Sequence, residues 1–298
     1  MKKILQRIAL RTLELKVFNL LPDKLYLHIK YFCKMGKILN LRNPKTFNEK
    51  IQWLKINDRK PTYTKMVDKC DAKEYVANKI GNEYIIPTIG LYNSFDDINF
   101  EELPKEFVLK CTHDSGGVII CKDKSLFDKK SARKKINKTF NRNYFYNCIE
   151  WPYKNIKPRI LVEKHMSNEN EEELINYKFW CFNGEPKFMY ISKCMKDHNK
   201  ARISYLDINY NETEFQDRDY KHFEELPEKP KNFEKMLEIA RVLSKGITFI
   251  RVDLYEVDDK VYFGELTFYP NSGYIHFKPE ECDEKIGNLI ELSKEEKI

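Results

Sequence analysis

From Phe249 the chain reads FIRVDLYEVDDKVYFGELTFYPNSGY. Apolar and polar residues alternate through RVDLYEV and VYFGELTF with the two-residue period of strands. The polar Asp258-Asp259-Lys260 lies between them as a turn. The stretch predicts an antiparallel hairpin, and the length of its turn decides what the hairpin carries. A three-residue turn pairs Val257 with Val261 and sets Asp253 opposite Glu265, with Thr267 on the same face. A two-residue turn sets Asp253 opposite Gly264 and sends Glu265 to the other face. Two carboxylates side by side on a sheet repel each other unless a cation sits between them. Hard oxygens at that spacing suit Mg2+, which takes one or two carboxylates together with substrate phosphates. The alternative is an exposed hairpin with solvated acids.

A second stretch, EFVLKCTHDSGGVIIC at 106–121, places THDSGG between two apolar strands. Glycines let backbone N–H groups approach a ligand closely, and such loops can cradle phosphate. Lys110 ends the first strand, where it can meet the same phosphates. Neither G-x-x-x-x-G-K-[ST] nor G-x-G-x-x-G is present, and taken alone Gly-Gly between strands is an ordinary hairpin.

The remaining segments place these two stretches. Apolar residues recur at helical spacing through residues 1–57, with a break at Asn43-Pro44. Thr46-Phe-Asn-Glu49 is a capping box that starts a new helix. YTKMVDKCDAKEYVANKIGN predicts a helix opened by Lys69 and stopped by Gly81. EYIIPTIGLYN reads as a short strand, residues 125–147 as an exposed basic helix, and RILVEKHM as a buried strand. NYKFWCF and EPKFMYISK flank Asn183-Gly184, a strong hairpin signal. Residues 232–245 form an amphipathic helix, and a last helix starts at Pro279.

The chain is long enough for one large domain or two moderate ones, at 298 residues and 42% hydrophobic. A net charge of +7 fits a polyanionic ligand such as a nucleotide. No Arg-rich block or nucleic-acid motif supports nucleic-acid binding. Eight scattered cysteines show neither C-x-x-C nor zinc spacing, the pattern of reduced thiols in a cytoplasmic protein. No run of apolar residues is long enough to span a membrane. The N-terminus, MKKILQRIALRTLELKVFNLL, is too charged for a signal peptide. It reads as a helix packed on its own protein or as a basic amphipathic helix at the inner face of a membrane.

The order of these features resembles the ATP-grasp fold and, within it, the TupA-like family, called after a protein of teichuronopeptide biosynthesis. NPKTFNEKIQWLK, VDKCDAKEYV, FVLKCTHDSGG, NYKFWCFNGEPK and RVDLYEVDDKVYFGELTFYPNSG carry the resemblance, over roughly residues 40 to 278. It implies an α+β fold in which two lobes with antiparallel sheets clasp ATP. The expected division is an N-terminal helical segment at 1–60, an N-terminal lobe with the Gly-rich loop at 61–165 and a C-terminal lobe with the metal-binding hairpin at 166–298.

By position in the motifs, Lys69 and Lys110 match the lysines on the nucleotide phosphates. His113, Ser115, Gly116 and Gly117 belong to the loop closing over them, with His113 either contacting phosphate or shaping the loop. Glu163, Lys164 and Met166 belong to the adenine hinge, whose backbone pairs with the base edge. Asp253 and Glu265 match the metal carboxylates. Thr267 stands where many relatives have Asn. Arg251 matches a cation at an acyl phosphate, and Lys178 stands near phosphate or acceptor.

The implied cofactors are ATP and Mg2+. The implied reaction is ADP-forming ligation of a carboxylate to an amine through an acyl phosphate, with a sugar acid and an amine or amino acid as partners in cell-surface polysaccharide synthesis. A sugar kinase would use the same nucleotide site. A glycosyltransferase-like protein would need a diphosphosugar site, and the only D-x-D letters considered, Asp217-Arg218-Asp219, fall in a polar stretch expected to be solvated. Tyr269, Tyr274 and His276 either line the acceptor pocket or pack.

Overall fold

The computed structural model describes residues 9–292 except 14, 169–172, 196 and 198. The first part of the expected N-terminal helix, residues 1–8, lies outside the described residues. Residues 9–13 are helical, Lys16–Leu20 form a 3-10 turn, and α1 (Asp23–Met35) ends on Gly36 at φ 70°. The capping box at Thr46 is formed. The Thr46 hydroxyl accepts from the Glu49 N–H (3.2 Å), and the Glu49 carboxylate accepts from the Thr46 N–H (3.2 Å), which starts α2 (Phe47–Asn57). Two short helices follow, α3 (Thr62–Val67) and α4 (Asp71–Ile80).

The next strands are β1 (Thr88–Tyr92), β2 (Phe107–Cys111), β3 (Val118–Cys121) and β4 (Ile160–Lys164). They form an antiparallel sheet in the order β1-β4-β2-β3, with α5 (Lys129–Phe140) and α6 (Phe145–Cys148) between β3 and β4 in the chain. A second antiparallel sheet has the order β10-β9-β5-β6-β7. It is built from β5 (Asn176–Phe182), β6 (Glu185–Lys193), β7 (Arg202–Asp207), β9 (Phe249–Val257) and β10 (Lys260–Thr267). A ribbon of β8 (Gln216–Asp217) and β11 (Phe277–Lys278), with α7 (Phe233–Ser244) and α8 (Cys282–Gly287), completes the elements used below. The last helix therefore begins three residues after Pro279, whose carbonyl accepts the Cys282 N–H (3.2 Å).

Each sheet has its own apolar core. The smaller sheet gathers Phe95, Phe100, Phe107, Ile136, Ile160 and Val162. The larger one packs Phe179, Met189 and Val252 in one cluster with Met236 and Ala240 of α7. Phe47 and Ile51 of α2, and Met66, Val67 and Val76 of α3 and α4, belong to that same cluster. The larger core thus reaches across the division expected at residue 60, because Phe47 at the start of α2 packs its ring against Trp180 (4.8 Å) and Phe249 (5.1 Å) of the five-stranded sheet.

The hairpin that opened the sequence reading resolves its own ambiguity in an unexpected way. The turn is two residues long, Asp258 and Asp259, both left-handed (φ 50° and 57°), the conformation of a type I′ turn. Val257 pairs with Lys260, not Val261. With that turn alone, Glu265 would fall on the wrong face. A bulge between Phe263 and Glu265 shifts the register back, and Asp253 stands opposite Glu265. The bulge requires glycine at 264, where a Cβ would lie 2.7 Å from the Tyr255 ring and 3.0 Å from the Asp253 carbonyl oxygen.

Candidate active site

The register aligns Arg251 with Thr267, Asp253 with Glu265, and Lys178 of β5 with Asp253. The repulsion expected between the two acids is answered by the protein's own cations. Arg251 grips Asp253 with both edges of its fork, Nε to Oδ1 (2.6 Å) and Nη2 to Oδ2 (2.7 Å). The same Nη2 donates to Glu265 Oε1 (2.8 Å) and Thr267 Oγ1 (3.0 Å), and Nη1 donates to the Tyr190 hydroxyl (3.1 Å). Lys178 pairs with Asp253 Oδ2. Asp253 and Arg251 are buried, while the Glu265 side chain is 46% exposed and lines the cleft between the sheets. Burial would raise the Glu265 pKa, but Lys178, Arg251 and Lys69 override it and hold it at about 2, so the group is ionised at neutral pH.

Oxygen donors of this kind suit Mg2+ that keeps substrate oxygens in its shell; Glu265 is the one open to the cleft, while both Asp253 oxygens are held by Arg251 and Lys178. Among the described residues no group of three or more His, Cys, Asp or Glu could hold a metal. The two carboxylates, with the Thr267 hydroxyl 3.2 Å from Glu265 Oε1, can therefore hold a hard cation only with further oxygens from a ligand.

Across the cleft the charge is positive. The Lys69 N–H donates to the Thr112 carbonyl (3.1 Å), and its ammonium donates to the Asp114 carbonyl, which ties it to the glycine loop. Burial lowers the Lys69 pKa, against the field of Glu265. Asp68 caps α4 by accepting from the N–H groups of Cys70 (2.8 Å) and Asp71 (3.0 Å), and Arg159 binds Asp68 (2.9 Å) and Asp71 (2.7 Å). Lys110 pairs with one oxygen of buried Glu163, and Lys73 with the other (2.5 Å). Burial would raise the Glu163 pKa, and the two lysines bring it below the ordinary value instead. Lys73 was not singled out from the sequence. The available signal was a lysine in the first turn of a helix, where the dipole disfavours a cation unless an acid meets it.

The loop at 112–117 is shaped by Asp114, which accepts the Gly116 N–H (2.8 Å) and pairs with Arg142 (2.7 Å). Gly117 is packed so closely that a Cβ would meet Thr139 at 2.7 Å and the Cys111 sulfur at 2.8 Å. Ser115 lines the cleft; Gly116 is exposed and Gly117 buried. Of the two roles open to His113, contact with phosphate or shaping of the loop, its placement favours the second. The ring is buried beneath the loop, edge-on to Phe140 (5.8 Å) and 3.4 Å from the Thr139 carbonyl, and burial lowers its pKa. It shapes the loop from behind.

The cleft measures about 700 Å3, and its wall brings together Lys69, Lys110, Ser115, Glu163, Lys164, Met166 and Glu265. Tyr255, Tyr262 and Asn176 of the larger sheet, which sequence reasoning missed, also line it. They alternate with apolar neighbours like any strand residue, so no local signal marks them. At the hinge the Lys164 N–H donates to the Pro87 carbonyl (3.0 Å), which removes it from the groups expected to pair with a base edge.

The segment after the β9–β10 hairpin is braced from α2. Gln52 donates to the carbonyls of Ser272 (2.9 Å) and Gly273 (2.9 Å), and Lys55 donates to Ser272 (2.8 Å). Asn271 (φ 46°), Ser272 (φ 55°) and Gly273 (φ 68°) are consecutively left-handed, a conformation that needs such bracing. Tyr269 and Tyr274 are buried against Lys55, whose ammonium lies 5.8 and 5.2 Å from their rings, so both pack rather than line the cleft. His276 pairs with Asp219 (2.8 Å). Asp217, expected to be solvated, is buried in β8 and accepts the Asp219 N–H (2.9 Å).

Two antiparallel sheets closing on a cleft, with lysines and a glycine loop on one and a carboxylate-bearing hairpin on the other, define an ATP-grasp fold. The chain belongs to the TupA-like ATP-grasp family: the family described as TupA-like ATPgrasp matches residues 49–291. No curated protein matches it. Among solved structures it is similar to D-alanine–D-alanine ligase from Bacillus anthracis complexed with ATP, at 17% identity and TM-score 0.37, over 68% of this chain and 53% of that one. It is also similar to the ATP-grasp ligase PsnB complexed with a phosphomimetic variant of its minimal precursor, Mg and ADP (7%, TM-score 0.43, 80% and 63%). A third is D-cycloserine synthetase DcsG (15%, TM-score 0.40, 77% and 70%). These identities speak of the fold alone, and the chain spans about half the length of the Bacillus anthracis ligase.

Proposed function

We propose that the protein is an ATP-dependent, ADP-forming carboxylate–amine ligase. The observation that carries this reading is Glu265, which faces Lys69 and Lys110 across one cleft and is tied to the buried Arg251–Asp253 pair behind it. Phosphoryl transfer needs positioning and charge neutralisation more than covalent help from the protein, and this arrangement supplies both. Lys69 and Lys110 hold the nucleotide phosphates, and Ser115 with the glycine loop closes over them. The backbone at 163–166, with Met166, receives the base. Asp253, Glu265 and the Thr267 hydroxyl would hold Mg2+, which neutralises phosphate charge when bound.

A substrate carboxylate oxygen attacks the γ-phosphorus and ADP leaves. Arg251 and Lys178 then face the developing charge on the acyl phosphate. An amine attacks the acyl carbon, phosphate leaves, and the amine's proton passes to solvent. The resemblance in the motifs is the ground for a sugar acid as the carboxylate and an amino acid or amine as its partner, in cell-surface polysaccharide synthesis in the cytoplasm.

The test is ADP release from purified protein with Mg-ATP and panels of sugar acids and amines. Release that requires both substrates and yields an amide is the expected result. A phosphorylated sugar formed without any amine would assign a kinase instead. ATP binding with no turnover for any pair would overturn the ligase reading. Glu265→Gln should lower turnover by at least about 100-fold, the scale of losing a group that acts on transition-state charge.

A further inference from the structure

The outer side of α1 carries apolar side chains of its own. Tyr26, Leu27, Tyr31 and Cys33 are buried. Leu25 and Phe32, spaced i, i+7, stand on the other side at 48% and 46% exposed, while Ile29 between them is partly buried against the core. Further apolar side chains stand exposed in the flanking segments, Leu15, Val17 and Leu20 before the helix and Ile38 after it. Six of the twelve large hydrophobic side chains that stand exposed among the described residues thus fall within residues 15–38.

The unpaired charge on this segment is positive. Residues 15–42 contain six lysines and arginines (16, 24, 30, 34, 37 and 42) and a single acid, Asp23; Lys30 is buried and Lys37 pairs with Glu280 (2.5 Å). Asp23 is neutralised by Arg59 (2.6 Å), whereas Lys24, Lys34 and Arg42 stand exposed. Pairing with a second copy of the same face would bring like charges together. A lipid surface meets both features at once. The acyl boundary takes the leucine, isoleucine and phenylalanine side chains, and anionic headgroups take the cations.

We infer that the face formed by residues 15–38 is a docking surface for anionic lipid headgroups, which seats the protein reversibly on a membrane. No helix among the described residues is long and apolar enough to cross one, so the contact is peripheral.

The experiment is co-sedimentation of the full chain with vesicles of phosphatidylcholine alone or with about 30 mol% phosphatidylglycerol, at low and high salt. Binding to the anionic vesicles, weakened by salt, is expected. Leu25→Asp with Phe32→Asp should weaken it by at least about tenfold, through lost apolar insertion, with melting temperature unchanged. Lys24→Glu with Lys34→Glu should weaken it by at least about 25-fold, roughly fivefold for each removed cation. Absence of binding to anionic vesicles, or binding that neither pair of substitutions reduces, would overturn the inference. So would a dimer in sedimentation velocity that Leu25→Asp with Phe32→Asp dissolves while vesicle binding is absent. That result would assign the face to a second copy. Vesicle binding is measured without ATP, so its outcome is separate from that of the ligation assay.

Discussion

The two walls of the cleft hold their charges by different means. On the five-stranded sheet, Arg251, Asp253 and Glu265 are locked by strand register, with the guanidinium fork buried and bonded to four side chains. On the four-stranded sheet, Lys110 and Lys73 come from a strand and a helix and share one buried carboxylate, Glu163. The first arrangement is a rigid template. The second is a pair of flexible amines steered by one anion, and a phosphate can compete with that anion for Lys110. Under the proposed ligase reading, the difference suits one wall that stays fixed during chemistry and another that captures and releases a nucleotide.

Three substitutions test this contrast, with the largest expected effect first. Asp253→Asn leaves Arg251 and Lys178 without their shared anion in a buried site. Stability should fall by about 3–5 kcal/mol, the cost of orphaning a buried charge, read from urea melts. A fall below about 1 kcal/mol would show that this wall is not rigid. Glu163→Gln releases Lys110 and Lys73 from their anchor. The KM for ATP should rise by about 10–100-fold, the value of a charged hydrogen bond, with a smaller change in kcat. Equal losses in both would mean that Glu163 acts in the transition state rather than by steering. The smallest effect is in the pH profile of Glu265→Gln. The folded pKa of Glu265, about 2, lies below its unfolded value of about 4.3. Its stabilising contribution is therefore complete above the unfolded value and is lost as pH falls toward 2. The stability gap between the wild type and Glu265→Gln should be constant above about pH 5 and narrow below about pH 4.3. A gap that does not change with pH would remove the ionic account of this residue.

Much of the fold was legible because its signals are local. The Thr46 capping box, the Asn183-Gly184 turn and the amphipathic period of α7 each act within a few residues, and each forms as expected. The lysine–glycine-loop–hairpin order also located most of the cleft's charged wall. What the sequence left open or missed was non-local. His113 lies beneath the loop because Phe140 and Thr139 of α5 receive it, and nothing near residue 113 announces that helix. Lys73 matters because Glu163, 90 residues away in sequence, is folded against it. Lys55 and Gln52 read as ordinary helix residues until the left-handed turn at 271–273 is seen resting on them.

The β9–β10 hairpin separates the two kinds of information. Alternation along RVDLYEV and VYFGELTF determined that a hairpin forms. It also put Arg251 with Asp253, and Glu265 with Thr267, on one face of their own strands, because side chains repeat every two residues. It did not determine how one strand registers on the other. That was decided by the type I′ turn at Asp258-Asp259, which alone would have separated the acids, and by the bulge at Gly264 that reunites them. The bulge depends on the Tyr255 ring and the Asp253 carbonyl closing over a residue without a Cβ. That contact exists only once the two strands are packed together.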